Sequence, residues 1–428
     1  MMKIRRFKIA PWLIFIIGLF LAGCGANDAI KTSNIPEAYK SVDTRIKTDF
    51  KVFHTNPNTS RIFVKLHTEN LLYARSEDGE LSAGVTVTFN FKAQPGKTTP
   101  EVPSQTIRIL DKDESKEPKV LLASVDLDIP INHAYNVEAI IRDINRGNQT
   151  TKTFSVDKTT LNQRQNFLAS ISSFQTPVLT DRIAADTTYR VLVNTASSDT
   201  IAVLYYNREF KAPPPPFIES IHPKFDYKPD SSFTLIKDID SQISFNSREN
   251  GFYHFIQDPS QRQGFTLFIS DEDFPEVSSV KDLVEPFRYV LKGSEFKHIF
   301  ETPPEQRKAE LEQVWIDWVG DRERAKKALK VYYERVENAN RFFSSHNEGW
   351  KTDRGMIYIV FGEPNKVYRD VNKETWIYGE ENNPMSLNFD FVKVINPFTD
   401  NDYRLIRQDT YKAAYTRSVG AWRDGRVY

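Results

Sequence analysis

Asp353, Arg354 and Glu363 are the residues whose types could do chemistry together. They are two carboxylates and a guanidinium within Gly349-Trp350-Lys351-Thr352-Asp353-Arg354-Gly355 and the later Phe361-Gly362-Glu363-Pro364. Two acidic side chains held about 5–9.5 Å apart can hydrolyse a glycosidic bond, so a hydrolase using these acids is one reading. The other is structural. Gly355 supplies positive φ or close backbone approach, and Asp353 closes a turn with its side chain. Arg354 pairs with Asp353 or a sheet carboxylate, and Trp350 plugs a helix–sheet junction. A motif mixing Gly, Trp and a charged turn favours this second reading. Other chemistry has no foothold in the sequence. There is no Gly-x-Ser-x-Gly, and the one cysteine lies near the N-terminus. His54, His67, His133, His222, His254, His298 and His346 are scattered singly, without a zinc-peptidase pattern. Neither a phosphate-binding loop nor a dinucleotide fingerprint occurs. No cofactor and no metal site are expected, and the charged stretch from Asp111 to Glu117 fits no calcium-loop spacing.

That cysteine, Cys24, closes Leu21-Ala22-Gly23-Cys24 after an apolar run from Pro11 to Leu21. Lys3, Arg5, Arg6 and Lys8 precede the run. A positive head, a short apolar core and small residues before a cut point are the parts of an export signal. The run is about half the roughly 20 residues a membrane span needs. Residues 1–23 are therefore read as a signal peptide and 24–44 as a polar tether. The arrangement resembles the lipobox of bacterial lipoproteins. The resemblance implies acylation of Cys24, with palmitate among the acyl chains, and attachment by more than one chain, as stable anchoring requires. With no aspartate directly after Cys24, it implies outer-membrane delivery, on a periplasmic or a surface face.

Loss of residues 1–23 takes four basic and no acidic residues, so Lys+Arg falls from 57 to 53 against 57 Asp+Glu. A slightly acidic chain offers no basic face for nucleic acid. With Cys24 acylated no disulfide can form, so stability rests on apolar cores. Residues 45–158 carry short alternating segments, such as Val85 to Phe91, separated by turn residues such as Asn145-Arg146-Gly147-Asn148. They read as an immunoglobulin-like β-sandwich. Residues 159–275 read as a second sandwich, crossed by Pro213 to Pro216 as a stiff extended segment.

From 276 to 428 the pattern turns helical, then β. Glu305 to Trp318 and Asp321 to Phe343 read as helices broken at Gly320, the second with Leu329, Tyr333, Val336 and Phe343 on its core stripe. Arg322, Arg324, Lys326 and Lys327 stand at its start, where the helix dipole disfavours cations; a nearby carboxylate is expected. Met356 to Phe361 reads as a strand, ended by a turn at Gly362, and more strands follow at Glu374 to Tyr378, Ser386 to Val394 and Tyr403 to Ile406. The whole is mainly β with an α+β C-terminal part: tandem β-sandwich domains followed by a helix-plus-antiparallel-sheet domain.

Gly349, Trp350, Thr352 and Asp353, continued by Arg354 and Gly355 and by Gly362, Glu363 and Pro364, resemble the GWxTD domain. The upstream helix and the proline run fit its usual surroundings in Bacteroidota lipoproteins. The resemblance implies an envelope lipoprotein and assigns no catalytic residue. The leading expectation is a membrane-anchored, non-catalytic scaffold or adaptor in an outer-membrane protein assembly, with envelope proteins as partners. A glycan- or peptidoglycan-binding lipoprotein and the acid-using hydrolase are the alternatives.

Overall fold

The computed structural model describes residues 33–34, 39, 46–75, 79–93, 99–112, 117–171, 176–194, 199–219, 225–240, 242–246, 249–270, 273–370 and 372–426. The expected signal segment and Cys24 lie outside these residues.

The first body is a two-sheet sandwich. Thr48–His54, Thr59–His67 and Val120–Asp128 form one sheet; Ala74–Arg75, Leu81–Ala93, Ala134–Asp143 and Gln149–Asp157 form the other, with Gln105–Lys112 paired to Leu81–Ala93. The period-two pattern sets the faces. Ala83, Val85, Val87 and Phe89 point inward and meet Ile62, Val64 and Leu66 of the opposite sheet. Each such Val, Ile or Phe stabilises the fold by roughly 1.5–3 kcal/mol.

The second body repeats the design. Phe167–Ile171, Tyr189–Val193, Gln242–Phe245 and Thr176–Pro177 face a five-stranded sheet. That sheet contains Arg182–Ala184, Phe265–Ser270, Gly251–Ile256, Thr200–Tyr206 and Ser231–Ile236. Lys51 of the first body pairs with Asp181 of the second at 2.6 Å, and its ammonium lies over the Phe265 ring.

Both sandwiches bury a histidine in the same way. His54 is cross-strand from Ser60, and His254 from Thr266. In each, Nδ1 meets the hydroxyl at 2.9 Å and Nε2 meets a carbonyl, of Asp157 or Arg262, at 2.8 Å. The carbonyl must accept, so Nε2 carries the proton and Nδ1 accepts from the hydroxyl.

Among the described residues the third body has the α-helices α1 (Val280–Val284), α2 (Gly293–Glu301), α3 (Pro304–Val319), α4 (Arg322–Phe343), α5 (Asp353–Phe361) and α6 (Tyr411–Arg423). They cover an antiparallel sheet ordered Ser33–Asn34, Lys366–Arg369, Lys373–Tyr378, Leu387–Lys393, Tyr403–Leu405. Gly320 ends α3 in the left-handed region at φ 71°, and Asp321 caps α4 by accepting from the Arg324 N–H at 2.8 Å. The buried stripe of α4 runs through Ala325, Ala328, Tyr332, Val336, Ala339 and Phe343. Leu329 and Tyr333, expected on that stripe, flank it half-buried; small alanines take the centre, where neighbouring backbone comes closest. Of the cations at the start of α4, Arg324 donates to the Asp424 carbonyl at 3.0 Å, a backbone acceptor where a carboxylate was expected.

Two expectations need correcting. Met356 to Phe361 is not a strand but most of α5. Every residue from Asp353 to Val360 is buried, so no polar face marks a helical period, and the Ile-Tyr-Ile-Val order imitates alternation. Thr352 decides the matter by capping: its hydroxyl accepts from the Gly355 N–H at 3.0 Å. The second correction concerns the tether. Ser33 and Asn34 pair with Arg369 and Tyr368, and Tyr39 is buried in the C-terminal core.

Candidate functional site

The signature block is a tight corner between α4 and α5. A Cβ on Gly349 would stand 1.9 Å from the Ala339 carbonyl oxygen, and one on Gly355 would stand 2.0 Å from the Gly349 carbonyl oxygen. Both positions exclude any side chain because two backbones touch there. Thr352 locks the corner from both sides, donating to the Gly349 carbonyl at 2.7 Å while it caps α5. Trp350 is buried beside them. Its N–H donates to Asn340 Oδ1 at 3.2 Å, and its carbonyl accepts from the Tyr289 hydroxyl at 2.7 Å. Its ring stands edge-on to Tyr289.

The charged pair of the signature faces inward. Asp353 is 4% exposed and Arg354 1%. Asp353 does not close its own turn. One carboxylate oxygen accepts from the Leu405 N–H at 2.9 Å, and the other is paired with the Arg407 guanidinium. Arg407 in turn donates to the carbonyls of Pro214 and Pro215, at 2.8 and 2.7 Å. The proline run, which lacks amide donors but keeps its carbonyls, is thereby clasped to the C-terminal domain. Phe217, just after it, packs edge-on against Tyr415 of α6, whereas Ile218 is exposed.

Arg354 reaches a second cluster. Its guanidinium donates to Glu374 Oε2 and to the Tyr39 hydroxyl at 3.4 Å each, and to the Asn401 carbonyl at 3.0 Å and Oδ1 at 2.5 Å. It also stacks over Tyr403 at 4.1 Å. Glu374 is wholly buried and is satisfied on both oxygens. Oε1 accepts from Trp376 Nε1 at 2.6 Å; Oε2 accepts from Arg369 Nε at 2.7 Å and from the Tyr39 hydroxyl at 3.1 Å. Burial alone would raise the Glu374 carboxyl. Arg369 and Arg354, helped by Trp376 and Tyr39, reverse that and hold it below the usual carboxylate range. Asn401 carries the network onward by donating to the Phe342 and Ser344 carbonyls at the end of α4.

Of the acids proposed for hydrolysis, Asp353 opens α5 and Glu363 lies beyond its end, past Gly362. Asp353 is buried with both oxygens taken, by Arg407 and by the Leu405 N–H, so it is not presented to a glycosidic bond. Pro364 is buried, Glu363 half-buried, and the Gly362 carbonyl accepts from the Tyr378 hydroxyl at 2.8 Å. Asp400 instead pairs with Arg164 of the second sandwich at 3.2 Å. Among the described residues no three His, Cys, Asp or Glu side chains are grouped to hold a metal ion. A polar hollow lies away from the signature, at the hairpin lined by Tyr368, Glu380, Glu381, Asn383 and Ser386.

Sequence reasoning found Asp353 and Arg354 but missed the residues that complete them: Tyr39, Arg369, Glu374, Asn401 and Arg407. One signal was legible. Glu374 and Trp376 are two apart in a strand and so share a face; a carboxylate on the side of a core tryptophan requires a buried cation.

Residues 251–424 match the GWxTD domain. No curated protein matches the chain. Similar solved structures include a β-glucuronidase of glycoside hydrolase family 2, at 12% identity and TM-score 0.17, over 26% of this chain and 11% of that one. A glycosyl hydrolase family 2 member from Bacteroides cellulosilyticus matches at 10% identity and TM-score 0.18, over 26% of this chain and 13% of that one. A calcium-binding mutant of Bacteroides uniformis β-glucuronidase 2 matches at 9% identity and TM-score 0.18, over 32% of this chain and 16% of that one. The chain thus spans less than a fifth of the length of each of these structures. The β-rich chain carries, at its C-terminal end, a GWxTD domain.

Proposed function

We propose that this chain is a lipid-anchored, non-catalytic scaffold or adaptor of the bacterial envelope, working in an outer-membrane protein assembly with other envelope proteins. The observation that carries the reading is the use of the signature's charges. Asp353 and Arg354 are buried and committed to internal partners that tie α5 to the proline run, the sheet and the end of α4. Groups so enclosed are committed to holding the C-terminal domain together and to clasping the proline run of the second sandwich onto it, which is what a spacer or docking body requires. Cys24, at the end of its apolar run, supplies the anchor in this reading.

The test is metabolic palmitate labelling of the native chain and of Cys24→Ser, followed by crosslinking in cells and mass spectrometry. Label on the native chain alone, with reproducible crosslinks to a stoichiometric envelope protein, is the expected result. A labelled chain recovered from membranes by itself contradicts the scaffold role. An unlabelled native chain contradicts the anchor.

A further inference from the structure

The stretch between Cys24 and the first sandwich does not run straight into that sandwich. Ser33 and Asn34 add a short strand to the edge of the C-terminal sheet, opposite Arg369 and Tyr368. Tyr39 follows, 4% exposed, with its ring 4.8 Å from Phe343 and 5.5 Å from Trp376. Its hydroxyl donates to Glu374 at 3.1 Å, and its backbone carbonyl accepts from the Tyr358 hydroxyl at 3.0 Å. Arg354 of the signature donates to the same Tyr39 hydroxyl. The strap is thus held by backbone pairing at one point and by burial plus hydrogen bonds at another, before the chain reaches Ile46 and the sandwich.

Ser33 stands nine positions after Cys24, a span of at most about 30 Å when fully extended. The antiparallel register, Ser33 opposite Arg369 and Asn34 opposite Tyr368, aims the N-terminal direction of the chain toward the turn at Asp370. We infer that the GWxTD domain, although last in the chain, is the body the anchor holds against the bilayer surface, with the Asp370–Lys373 turn on the membrane side. The inference rests on the lipid anchor proposed above. It joins anchor and signature mechanically, since the strap residue Tyr39 and the signature residue Arg354 belong to one buried network.

Distance to the bilayer tests this with the full, acylated chain. Asn372 is exposed in that turn, and with Cys24 acylated an Asn372→Cys variant has one free thiol for a fluorescent donor. The protein is reconstituted into vesicles carrying headgroup-labelled acceptor lipid. A forty-residue Gly/Ser insertion between Asn27 and Asp28 lengthens the root-mean-square reach of the leader from about 17 Å to about 40 Å. The same insertion between Val42 and Asp43 lengthens the chain only after the strap. Strong transfer is expected from the parent, a loss of at least about twofold with the first insertion, and no change with the second. Equal loss with both insertions, or no loss with the first, overturns the inference while the protein remains in the membrane fraction. A chain without palmitate that stays out of the membrane fraction overturns the anchor reading as well, and is recognised before any transfer is measured.

Discussion

The sandwiches and the C-terminal domain satisfy their buried polar groups in different ways. In the sandwiches they are met mostly by backbone and hydroxyl groups: His54 and His254 each accept from a hydroxyl and donate to a carbonyl, buried Asp143 accepts from the Leu72, Asn145 and Arg146 N–H groups, and buried Lys158 donates to the Asn56, Pro57 and Ile129 carbonyls. In the C-terminal domain buried opposite charges meet each other: Glu374 lies between Arg354 and Arg369, and Asp353 faces Arg407. A neutral imidazole in a β-core needs only two partners, here a cross-strand hydroxyl and one carbonyl. A buried charge must be matched and fully hydrogen-bonded, or its desolvation cost of several kcal/mol is left standing. The second device therefore specifies which distant segments must meet. It draws together residues 39, 354, 369, 374 and 401 in one cluster and 214, 215, 353 and 407 in another. The sandwiches' buried histidines, Asp143 and Lys158 find their partners within their own bodies, while the charged clusters of the C-terminal domain are completed by Tyr39, Pro214 and Pro215 from far upstream in the chain.

The strongest way to break the comparison is Glu374→Gln. Two guanidinium groups would lose their shared counterion, and the C-terminal domain is expected to lose about 3–5 kcal/mol. Tryptophan fluorescence isolates the effect, because Trp315, Trp318, Trp350, Trp376 and Trp422 all lie in that domain and Trp12 belongs to the expected signal. Urea unfolding followed by fluorescence should shift far to lower denaturant. A shift of equal size in the far-UV circular dichroism of the sandwich strands would erase the distinction.

Acid probes the same contrast from the other side. Burial, chiefly, pushes His54 and His254 down to about 4 from an ordinary 6.5. Between those values the unfolded chain binds protons that the folded sandwiches refuse, so stability rises with pH across the window and is lost as pH falls from 6.5 to 4. The loss is on the order of 3 kcal/mol per histidine at most. His346, at the seam with Phe210 and Phe225, is depressed by burial in the same direction. Glu374, held below its usual range, stays ionised through this window; its contribution is present above about 4.5 and lost only at lower pH. At pH 4.5 the circular dichroism midpoint in urea should fall well below its pH 7 value while the fluorescence midpoint moves less. Parallel movement of both would show that the two regions do not differ.

Much of this architecture was legible, and the failures share a cause. Alternation in Val85 to Phe91 was legible as a strand because one face is buried in the core and the other is not. The α3–α4 break was legible because Gly320 and Asp321 are terminators with their own chemistry. Met356 to Phe361 was misread because a helix buried on all sides has no period to reveal. Tyr39 was missed because a single aromatic in a polar stretch has no local signature, and its partners lie more than 300 residues away. The signature residues were recognised, but Arg407 and Glu374, which explain them, lie outside the motif and are joined to it only by the fold.

A smaller effect sharpens the picture. Tyr39→Phe keeps the ring against Phe343 and Trp376 but removes the hydroxyl shared by Glu374, Arg354 and Arg369. A loss of about 1–3 kcal/mol is expected in the fluorescence transition, with no change in the sandwich signal. An unaltered fluorescence transition would show that the strap is not part of the C-terminal domain.

The central claim is that the signature's charges join segments of the molecule. The most direct measurement is a double-mutant cycle across Asp353 and Arg407, using Asp353→Asn, Arg407→Met and the combined variant, with stability read by urea unfolding at pH 7. The singles should be non-additive, with a coupling energy of about 1–3 kcal/mol, because one pair closes the clasp on the proline run. Additivity to within about 0.5 kcal/mol would contradict that claim.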